Sequence, residues 1–196
     1  MNAHDPRAVL GPQSLPQALY RRLIGKGRGS LNEIFVAQMV ASWTSGGGAL
    51  PRCMGLEEKR FEAMLEWHFP GIGYLQAHHR HELPAPRQDE FEDLRALLLE
   101  HRLNRSDSEI WIAELVAIGC MASDHLWSDL GLFSRKYLTQ MMQLNFQPLA
   151  MRNTNNMKWK KFLYKQLCAR EGIYVCRAPS CEACADYAKC FIEGEA

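Results

Sequence analysis

The sequence lacks the features that identify membrane proteins and several common enzyme classes. No segment has the long uninterrupted apolar run of a membrane-spanning helix, and even the apolar stretch IWIAELVAIGCMA contains Glu114. The N-terminal residues MNAHDPRAVLGPQ contain no apolar run of signal-peptide length. The chain also has no phosphate-binding glycine loop, no Gly-x-Ser-x-Gly elbow and no HExxH pair. These absences predict a cytoplasmic protein without membrane contact, and they favour a binding or carrier protein over an enzyme.

A strong net charge of one sign is absent as well. The 196 residues have a formal net charge of +1, which argues against binding to a nucleic-acid backbone. The charges are nevertheless unevenly distributed, because residues 57–114 contain 13 acidic and 7 basic residues, whereas residues 115–175 contain 3 acidic and 8 basic ones. This asymmetry predicts two surfaces of opposite sign, as is typical of proteins that receive a charged partner.

Strand-like alternation is scarce, and helical patterns recur along the chain. Apolar residues recur at helical spacing in LEEKRFEAMLEWHF and in DEFEDLRALLLEHR. Ser30 with Glu33, and Ser106 with Glu109, form two capping-box patterns at predicted helix starts. The sequence therefore predicts an all-α fold, a single helical domain of five to seven helices with a C-terminal cysteine-rich loop. We divide it into a poorly defined N-terminal segment (1–30), a helical body (31–175) and the cysteine-rich loop and tail (176–196).

Four cysteines lie close together near the C-terminus. Cys176, Cys181, Cys184 and Cys190 have the spacing C-x4-C-x2-C-x5-C. The total of seven cysteines is odd, and the predicted compartment is reducing, so a disulfide framework is disfavoured. A single C-x2-C pair flanked by lone cysteines differs from the paired knuckles of structural zinc sites. It is more typical of the separate thiolates that hold an iron–sulfur cluster, so we favour a cluster over zinc and over cysteines that bind nothing.

Around these cysteines the sequence resembles the NifQ family of nitrogen-fixation proteins. The stretches NNMKWKKFLYKQLC and EGIYVCRAPSCEACADYAKCF carry the resemblance, which extends over residues 56–191. The resemblance implies a carrier of a molybdenum–iron–sulfur cluster, or of an iron–sulfur precursor, that supplies molybdenum for the nitrogenase iron–molybdenum cofactor. It also implies the nitrogenase cofactor scaffold complex and the nitrogenase reductase as partners. Its metal ligands correspond to Cys176, Cys181, Cys184 and Cys190.

A fifth cysteine and a histidine-rich stretch are candidates for additional metal ligands. Cys168 falls at the border between the apolar and the lysine-bearing faces of the predicted last helix, eight residues before Cys176. It is either a packing residue or a further ligand. The sequence HHRHE brings together His78, His79 and His81, which form either a solvated loop or a site for a metal or for molybdate.

The predicted last helix also carries a row of lysines. Lys158, Lys161 and Lys165 share one helical face, opposite an apolar face with Trp159, Phe162, Leu163 and Leu167. Such a face is either an ordinary solvated surface or a docking site for an acidic partner or for molybdate, a dianion.

Two other classes of protein are alternatives. Helical iron–sulfur DNA-repair glycosylases of the endonuclease-III kind also end in a four-cysteine loop, and FPGIG at residues 69–73 is similar to their hairpin turn. However, the following YLQAHH offers no counterpart of their catalytic lysine, and a net charge of +1 disfavours binding to duplex DNA. The other alternative is a zinc-stabilised helical interaction protein, which metal analysis would distinguish.

Overall fold

A computed structural model describes residues 15–77 and 88–171 of the chain, and within these ranges it contains helices and no strand. The all-α prediction is confirmed for this part of the chain. Nine α-helices exceed the five to seven expected because two of them, α6 and α8, are only four residues long and leave no periodic pattern in the sequence. The helices are α1 (Leu15–Ile24), α2 (Glu33–Thr44), α3 (Glu58–His68), α4 (Gln88–Glu100), α5 (Asp107–Cys120), α6 (Leu126–Asp129), α7 (Arg135–Asn145), α8 (Gln147–Ala150) and α9 (Trp159–Glu171).

Helix α1 was not predicted from the sequence. It packs against α2, buries Leu23 completely, and its Arg22 side chain donates a hydrogen bond to the carbonyl of Ile72 at 3.3 Å. Helix α1 belongs to the segment 1–30, which the sequence analysis separated from the helical body. Residues 1–14 of that segment are not among the described residues. Among the helices of the described ranges, none is long and apolar enough to cross a membrane.

Helices α2 and α5 form the centre of the fold. Both are apolar on nearly every side, and most of their side chains are buried, as expected for helices enclosed by other helices. At the start of α5 the Glu109 carboxylate accepts a hydrogen bond from the Ser106 N–H at 3.0 Å, which confirms the predicted capping box. At the start of α2 the expected Ser30–Glu33 box is not formed. Glu33 accepts hydrogen bonds from the Arg28 and Gly29 N–H groups instead, at 2.7 and 3.1 Å.

A neutral polar network in the core joins four segments of the chain. The Asn32 side chain, just before α2, donates to the Asn145 oxygen at the end of α7 and to the Ser108 hydroxyl in α5, at 2.8 and 2.9 Å. Asn145 returns a hydrogen bond to Asn32 at 2.9 Å, and Ser108 lies 3.2 Å from Nε2 of His68 in α3. Burial lowers the pKa of His68 to about 4. The network is therefore uncharged at neutral pH, and it determines how α2, α3, α5 and α7 meet.

Candidate functional site

The structure describes only part of the predicted site. The four cysteines of the terminal segment and the three histidines of the HHRHE stretch lie outside the described residues, so their proposed roles stay predictions. Helix α9, which leads directly into the cysteine segment, is described as far as Glu171. What the structure shows is therefore how the body holds this helix and which side chains the helix presents.

The inner face of α9 is buried along most of its length. Trp159, Phe162, Leu163, Tyr164 and Leu167 are each at most 8% exposed and belong to the same core as α2 and α5. The Trp159 indole also donates a hydrogen bond to the Thr139 hydroxyl in α7 at 3.1 Å. Burial of several large side chains at roughly 25 cal/mol per Å² of apolar surface fixes α9 firmly to the body. The predicted apolar face is confirmed.

A buried ion pair anchors the first turn of α9. The ammonium group of Lys160 contacts the Asp129 carboxylate at the end of α6 and donates a second hydrogen bond to the Ala122 carbonyl at 2.7 Å. Asp129 is itself held in place, because its carboxylate accepts from the Asp124 N–H at 3.1 Å and its carbonyl accepts from the Ala49 N–H at 2.7 Å. We call this group the Lys160–Asp129 clamp. It was not predicted from the sequence, where Lys160 stands among three other lysines without a distinguishing pattern.

An asparagine-rich turn, residues 151–158, orients the chain as it enters α9. Asn153 closes this turn, since its side-chain oxygen accepts from the Met157 N–H at 2.8 Å and its amide donates to the Met157 carbonyl at 3.0 Å. Asn156 has a φ of 49°, a left-handed conformation that asparagine tolerates better than most residues. The Arg135 guanidinium of α7 donates to the carbonyl and to the side-chain oxygen of Asn156, at 2.7 and 2.9 Å. The turn is thus fixed both internally and against α7.

Helices α4 and α9 pack side by side and run in the same direction. At their C-terminal ends Arg170 donates to Glu100 at 3.1 Å. Near their N-terminal ends, Glu90 of α4 and Lys160 of α9 both lie close enough to the Cys120 thiol to affect its pKa. The histidine-bearing segment precedes α4 and the cysteine segment follows α9. The cysteine segment therefore joins the described body at the C-terminal end of this helix pair, whereas the histidine-bearing segment joins it at Ala77 and at Gln88.

Two lysines of the predicted face lie on one side of α9, and the third, Lys158, directly precedes the helix. At 3.6 residues per turn, Lys161 and Lys165 lie about 40° apart around the helix. Lys158 and Lys165 are exposed and Lys161 is half-buried. Cys168 is half-buried as well, and it lies about 20° from Lys161 around the helix and two turns closer to the C-terminus. Cys168, Lys161 and Lys165 thus lie on one flank of α9, and we call this flank, with Lys158 directly before it, the lysine stripe.

The two remaining cysteines are buried away from this flank. Cys120 is fully buried in α5, and burial raises the pKa of its thiol to about 12, so it stays protonated. Cys53 is buried in a tight turn where it and Met54 both have positive φ, 53° and 56°. Both cysteines are packing residues of the core. In residues 15–77 and 88–171 no group of three or more His, Cys, Asp or Glu side chains is arranged to hold a metal ion.

The FPGIG stretch does not behave as the hairpin of a DNA-repair glycosylase. Such a hairpin joins two helices, but residues 71–77, which follow Phe69 and Pro70 at the end of α3, contain no helix. Phe69 and Ile72 are buried and serve the core. This geometry gives the glycosylase alternative no support.

Comparisons with known proteins identify one family. The NifQ family model matches residues 35–192. The NifQ protein of Azotobacter vinelandii is 43% identical over 172 residues, which cover 82% of this chain and 88% of that protein. The NifQ proteins of Rhodobacter capsulatus and Klebsiella pneumoniae are 33% and 34% identical, over 80% and 75% of this chain and 85% and 90% of their own lengths. No solved structure matches. By both the family model and these relatives, the chain belongs to the NifQ family.

Proposed function

We propose that this protein is a non-catalytic carrier that holds a molybdenum–iron–sulfur cluster, or its iron–sulfur precursor, and delivers molybdenum for the nitrogenase iron–molybdenum cofactor. Membership in the NifQ family implies a role in nitrogen fixation and in molybdenum handling for that cofactor. The cluster is the cargo of the protein and not a permanent cofactor. Its recipients in this proposal are the nitrogenase cofactor scaffold complex and the nitrogenase reductase.

The observation that carries the proposal is the position of the C-x4-C-x2-C-x5-C segment directly after α9. We assign Cys176, Cys181, Cys184 and Cys190 as metal ligands, because thiolates at this spacing suit the corners of an iron–sulfur cluster. Four closely spaced thiolates beyond a firmly anchored helix suit a carrier, which must hold its cargo and yet present it to another protein. The clamp and the buried face of α9 supply the firm attachment.

Cys168 is our candidate for an additional ligand at the molybdenum corner. The irons of a cubane cluster each accept one thiolate, whereas molybdenum accepts more ligands and must finally be released. Cys168 lies on the last full turn of described helix before the cysteine segment, and its half-buried position suits a ligand that contributes reversibly. His78, His79 and His81 are weaker candidates for this corner, because residues so close together in sequence rarely converge on a single ion.

Metal analysis of cysteine variants tests the proposal. Wild-type protein, purified or reconstituted without oxygen, should contain iron and sulfide, and molybdenum when molybdate is supplied. Cys184→Ser should lose the whole cluster, whereas Cys168→Ser should keep most of the iron and lose molybdenum or its delivery. Cys120→Ala is the matched control, because it removes a thiol buried in the body, and it should keep wild-type metal contents.

Two sets of metal contents would contradict the proposal. One zinc per chain with no iron would support the zinc-stabilised alternative instead. Wild-type molybdenum content and delivery in Cys168→Ser would leave the cluster assignment intact but return Cys168 to a packing role.

A deletion strain tests the physiological part of the proposal. Loss of this protein should impair nitrogen fixation mainly when molybdate is scarce, and added molybdate should restore growth. Other molybdenum enzymes should keep their activity, since the proposed delivery serves one cofactor. Loss of those enzymes as well would indicate a general role in molybdenum supply.

A further inference from the structure

We infer that two loops, at the end of the body where the cysteine segment begins, form a docking surface for an acceptor protein with a carboxylate-rich face. Residues 25–32 join α1 to α2, and residues 101–106 join α4 to α5. We call this surface the loop face and define it by Lys26, Arg28, Leu31, Leu103 and Arg105. The inference rests on the proposed function, because a carrier must meet an acceptor. It adds where the contact lies and which chemistry the acceptor surface has.

Hydrogen bonds place both loops at the end of the body where α9 ends. There Arg170 of α9 donates to Glu100, the last residue of α4, and the second loop follows Glu100 directly. In that loop the Leu103 N–H donates to the carbonyl of Asn145 at 2.9 Å. The first loop is bonded to the same residue, because the Asn32 side chain donates to the Asn145 side-chain oxygen at 2.8 Å. A short series of contacts thus connects the end of α9 with both loops.

A docking surface at this end suits delivery of the cargo. Cys176 comes five residues after Glu171, the last residue of α9, and five residues span at most about 18 Å. An acceptor bound to the loop face therefore contacts the same end of the body from which the four proposed ligands continue.

A buried glutamate fixes the shape of each loop. In the first loop Glu33, which is 5% exposed, accepts hydrogen bonds from the N–H groups of Arg28 and the following glycine, at 2.7 and 3.1 Å. In the second loop the fully buried Glu109 accepts from the N–H groups on either side of Arg105, at 2.8 and 3.0 Å. The backbone around each arginine is thus held from the inside, while both arginines are exposed. A surface fixed in this way loses less conformational entropy on binding than a loop without such bonds.

The cations of the loop face are exposed and form no ion pair with a residue that the structure describes. This holds for Lys26, Arg28 and Arg105 alike. The two glutamates that shape the loops are buried and bind backbone N–H groups. In the two loops and the helical turns that follow them, all of which the structure describes, Asp107 is the one exposed acid. Three exposed cations against one exposed acid attract a carboxylate-rich surface and accelerate association with it.

Two exposed leucines complete the loop face. Leu31 in the first loop is 63% exposed, and Leu103 in the second is 44% exposed. Exposed apolar side chains bordered by polar and charged ones are typical of protein-binding surfaces, and arginine is enriched in the cores of such interfaces. A nucleic-acid backbone would instead be bound mainly by cations. The composition of the loop face therefore favours a protein partner.

The hydrogen bonds of the loops favour a protein over molybdate as well. A small dianion needs several donors that converge on one point, as the N–H groups of a tight loop can do. In both loops such N–H groups already donate to a glutamate of this chain. The outward-facing cations remain, and they suit separate carboxylates on a larger surface.

Binding of charge-reversal variants to the two proposed recipients tests the inference. Arg28→Glu/Arg105→Glu in the full cluster-loaded chain should bind the acceptor roughly tenfold to a hundredfold more weakly in low salt, and the loss should shrink at about 0.3 M salt. Because Arg105 has a φ of 53°, Lys26→Glu is a second variant without positive φ, and it should weaken binding severalfold. The matched control for the double variant is Lys59→Glu/Lys136→Glu, at exposed lysines of α3 and α7, which should bind within about threefold of wild type.

A second pair of variants isolates the apolar contact. Leu31→Ser/Leu103→Ser should weaken binding severalfold at low and at high salt alike, because apolar contact is screened little by ions. Met151→Ser is its control, since Met151 is 70% exposed outside the two loops. Carbodiimide cross-linking of the wild-type complex should join the acceptor's carboxylates to Lys26 and not to the two control lysines of α3 and α7.

Three outcomes would overturn the inference. The first is equal binding by the double charge-reversal variant of the loop face and its matched control. The second is weaker binding by Lys161→Glu/Lys165→Glu with none by the loop-face variants, which would move the contact to the lysine stripe. The third is cross-links from Lys26 to carboxylates of this chain or of a second copy in place of the acceptor. Iron and molybdenum are measured in every variant, so a failure of the proposed cargo is distinguished from a failure of docking.

Discussion

The polar network in the core and the Lys160–Asp129 clamp are both buried, but they differ in charge and in depth. The network is neutral and central, with Asn145 completely buried and Asn32 nearly so. The clamp is ionic and lies closer to the surface, with the Lys160 side chain 12% and the Asp129 side chain 5% exposed. Burial of an ion costs far more hydration than burial of an amide, so a charged pair needs several further donors and acceptors around it. The neutral network specifies which helices meet, and the clamp specifies where α9 attaches.

The largest effect should follow from breaking the clamp on one side. Lys160→Met leaves the Asp129 carboxylate buried without its cation, and we expect the free energy of unfolding to fall by about 3–5 kcal/mol. Urea unfolding of the full metal-free chain measures this change. Lys161→Met, a neighbouring lysine outside the clamp, should change it by less than about 1 kcal/mol. The double variant Lys160→Met/Asp129→Leu should recover much of the loss, and a double variant less stable than Lys160→Met would contradict this explanation.

The network should make stability depend on pH through His68. Its pKa is lowered from 6.5 to about 4 by burial, so the unfolded chain binds a proton at a higher pH than the folded chain does. The contribution of neutral His68 to the free energy of unfolding is fully present above pH 6.5. It is lost as the pH falls from 6.5 toward 4, by about 3 kcal/mol in total. His68→Gln should remove that part of the pH dependence, as measured by urea unfolding at several pH values. If the free energy of unfolding changed with pH equally in His68→Gln and in wild type, other groups would be its cause. His125→Gln, at an exposed position, serves as the control.

Removing one amide of the network should have a smaller effect. Asn145→Ala leaves polar atoms of Asn32 buried without a partner, and we expect a loss of about 2 kcal/mol in the free energy of unfolding. Adding Asn32→Ala to this variant should cost clearly less than Asn32→Ala costs alone, because the two side chains share their hydrogen bonds. Additive losses in this double-mutant cycle would mean that the two amides act independently. Asn155→Ala, on the exposed part of the turn, is the control.

The smallest effect should come from the ion pair at the opposite end of α9. Arg170 and Glu100 have side chains that are 57% and 59% exposed, so their pair has the chemistry of the clamp without its burial. Arg170→Ala should lower the free energy of unfolding by less than about 1 kcal/mol, and the difference should vanish in high salt. A loss comparable to that of Lys160→Met would show that burial does not explain the contrast between the two ends of the helix.

Local sequence signals predicted the long helices well and the connections between them poorly. Glu109 caps α5 as the Ser-x-x-Glu pattern predicts, because both residues of that box belong to one turn. The same pattern at Ser30 failed since Glu33 finds the N–H groups of Arg28 and Gly29 in a preceding loop whose path the pattern does not encode. Helix α1 was not predicted, because its stability comes from packing on α2 as much as from its own sequence.

The site was predictable to the extent that its residues share one helix. The alternation of apolar and basic residues in MKWKKFLYKQLCAR correctly separated the buried face of α9 from its lysine stripe. The clamp was not predictable, because Lys160 meets Asp129 and Ala122, 31 and 38 residues earlier in the chain. Which residues of distant segments meet depends on how all the helices pack, and no local pattern records it.

The hydrogen bonds between Asn32 and Asn145 have a consequence for the synthesis of the protein. They span 113 residues, which a ribosome adding roughly 5–20 residues per second needs about 6–23 s to make. During this interval α2, which is apolar on nearly every side, has been made but α7 is incomplete. The nascent N-terminal half is therefore the part that is prone to aggregation and suited to chaperone binding. All four segments of the network are translated before Cys176, so this interval ends before the four cysteines that we propose as metal ligands are made.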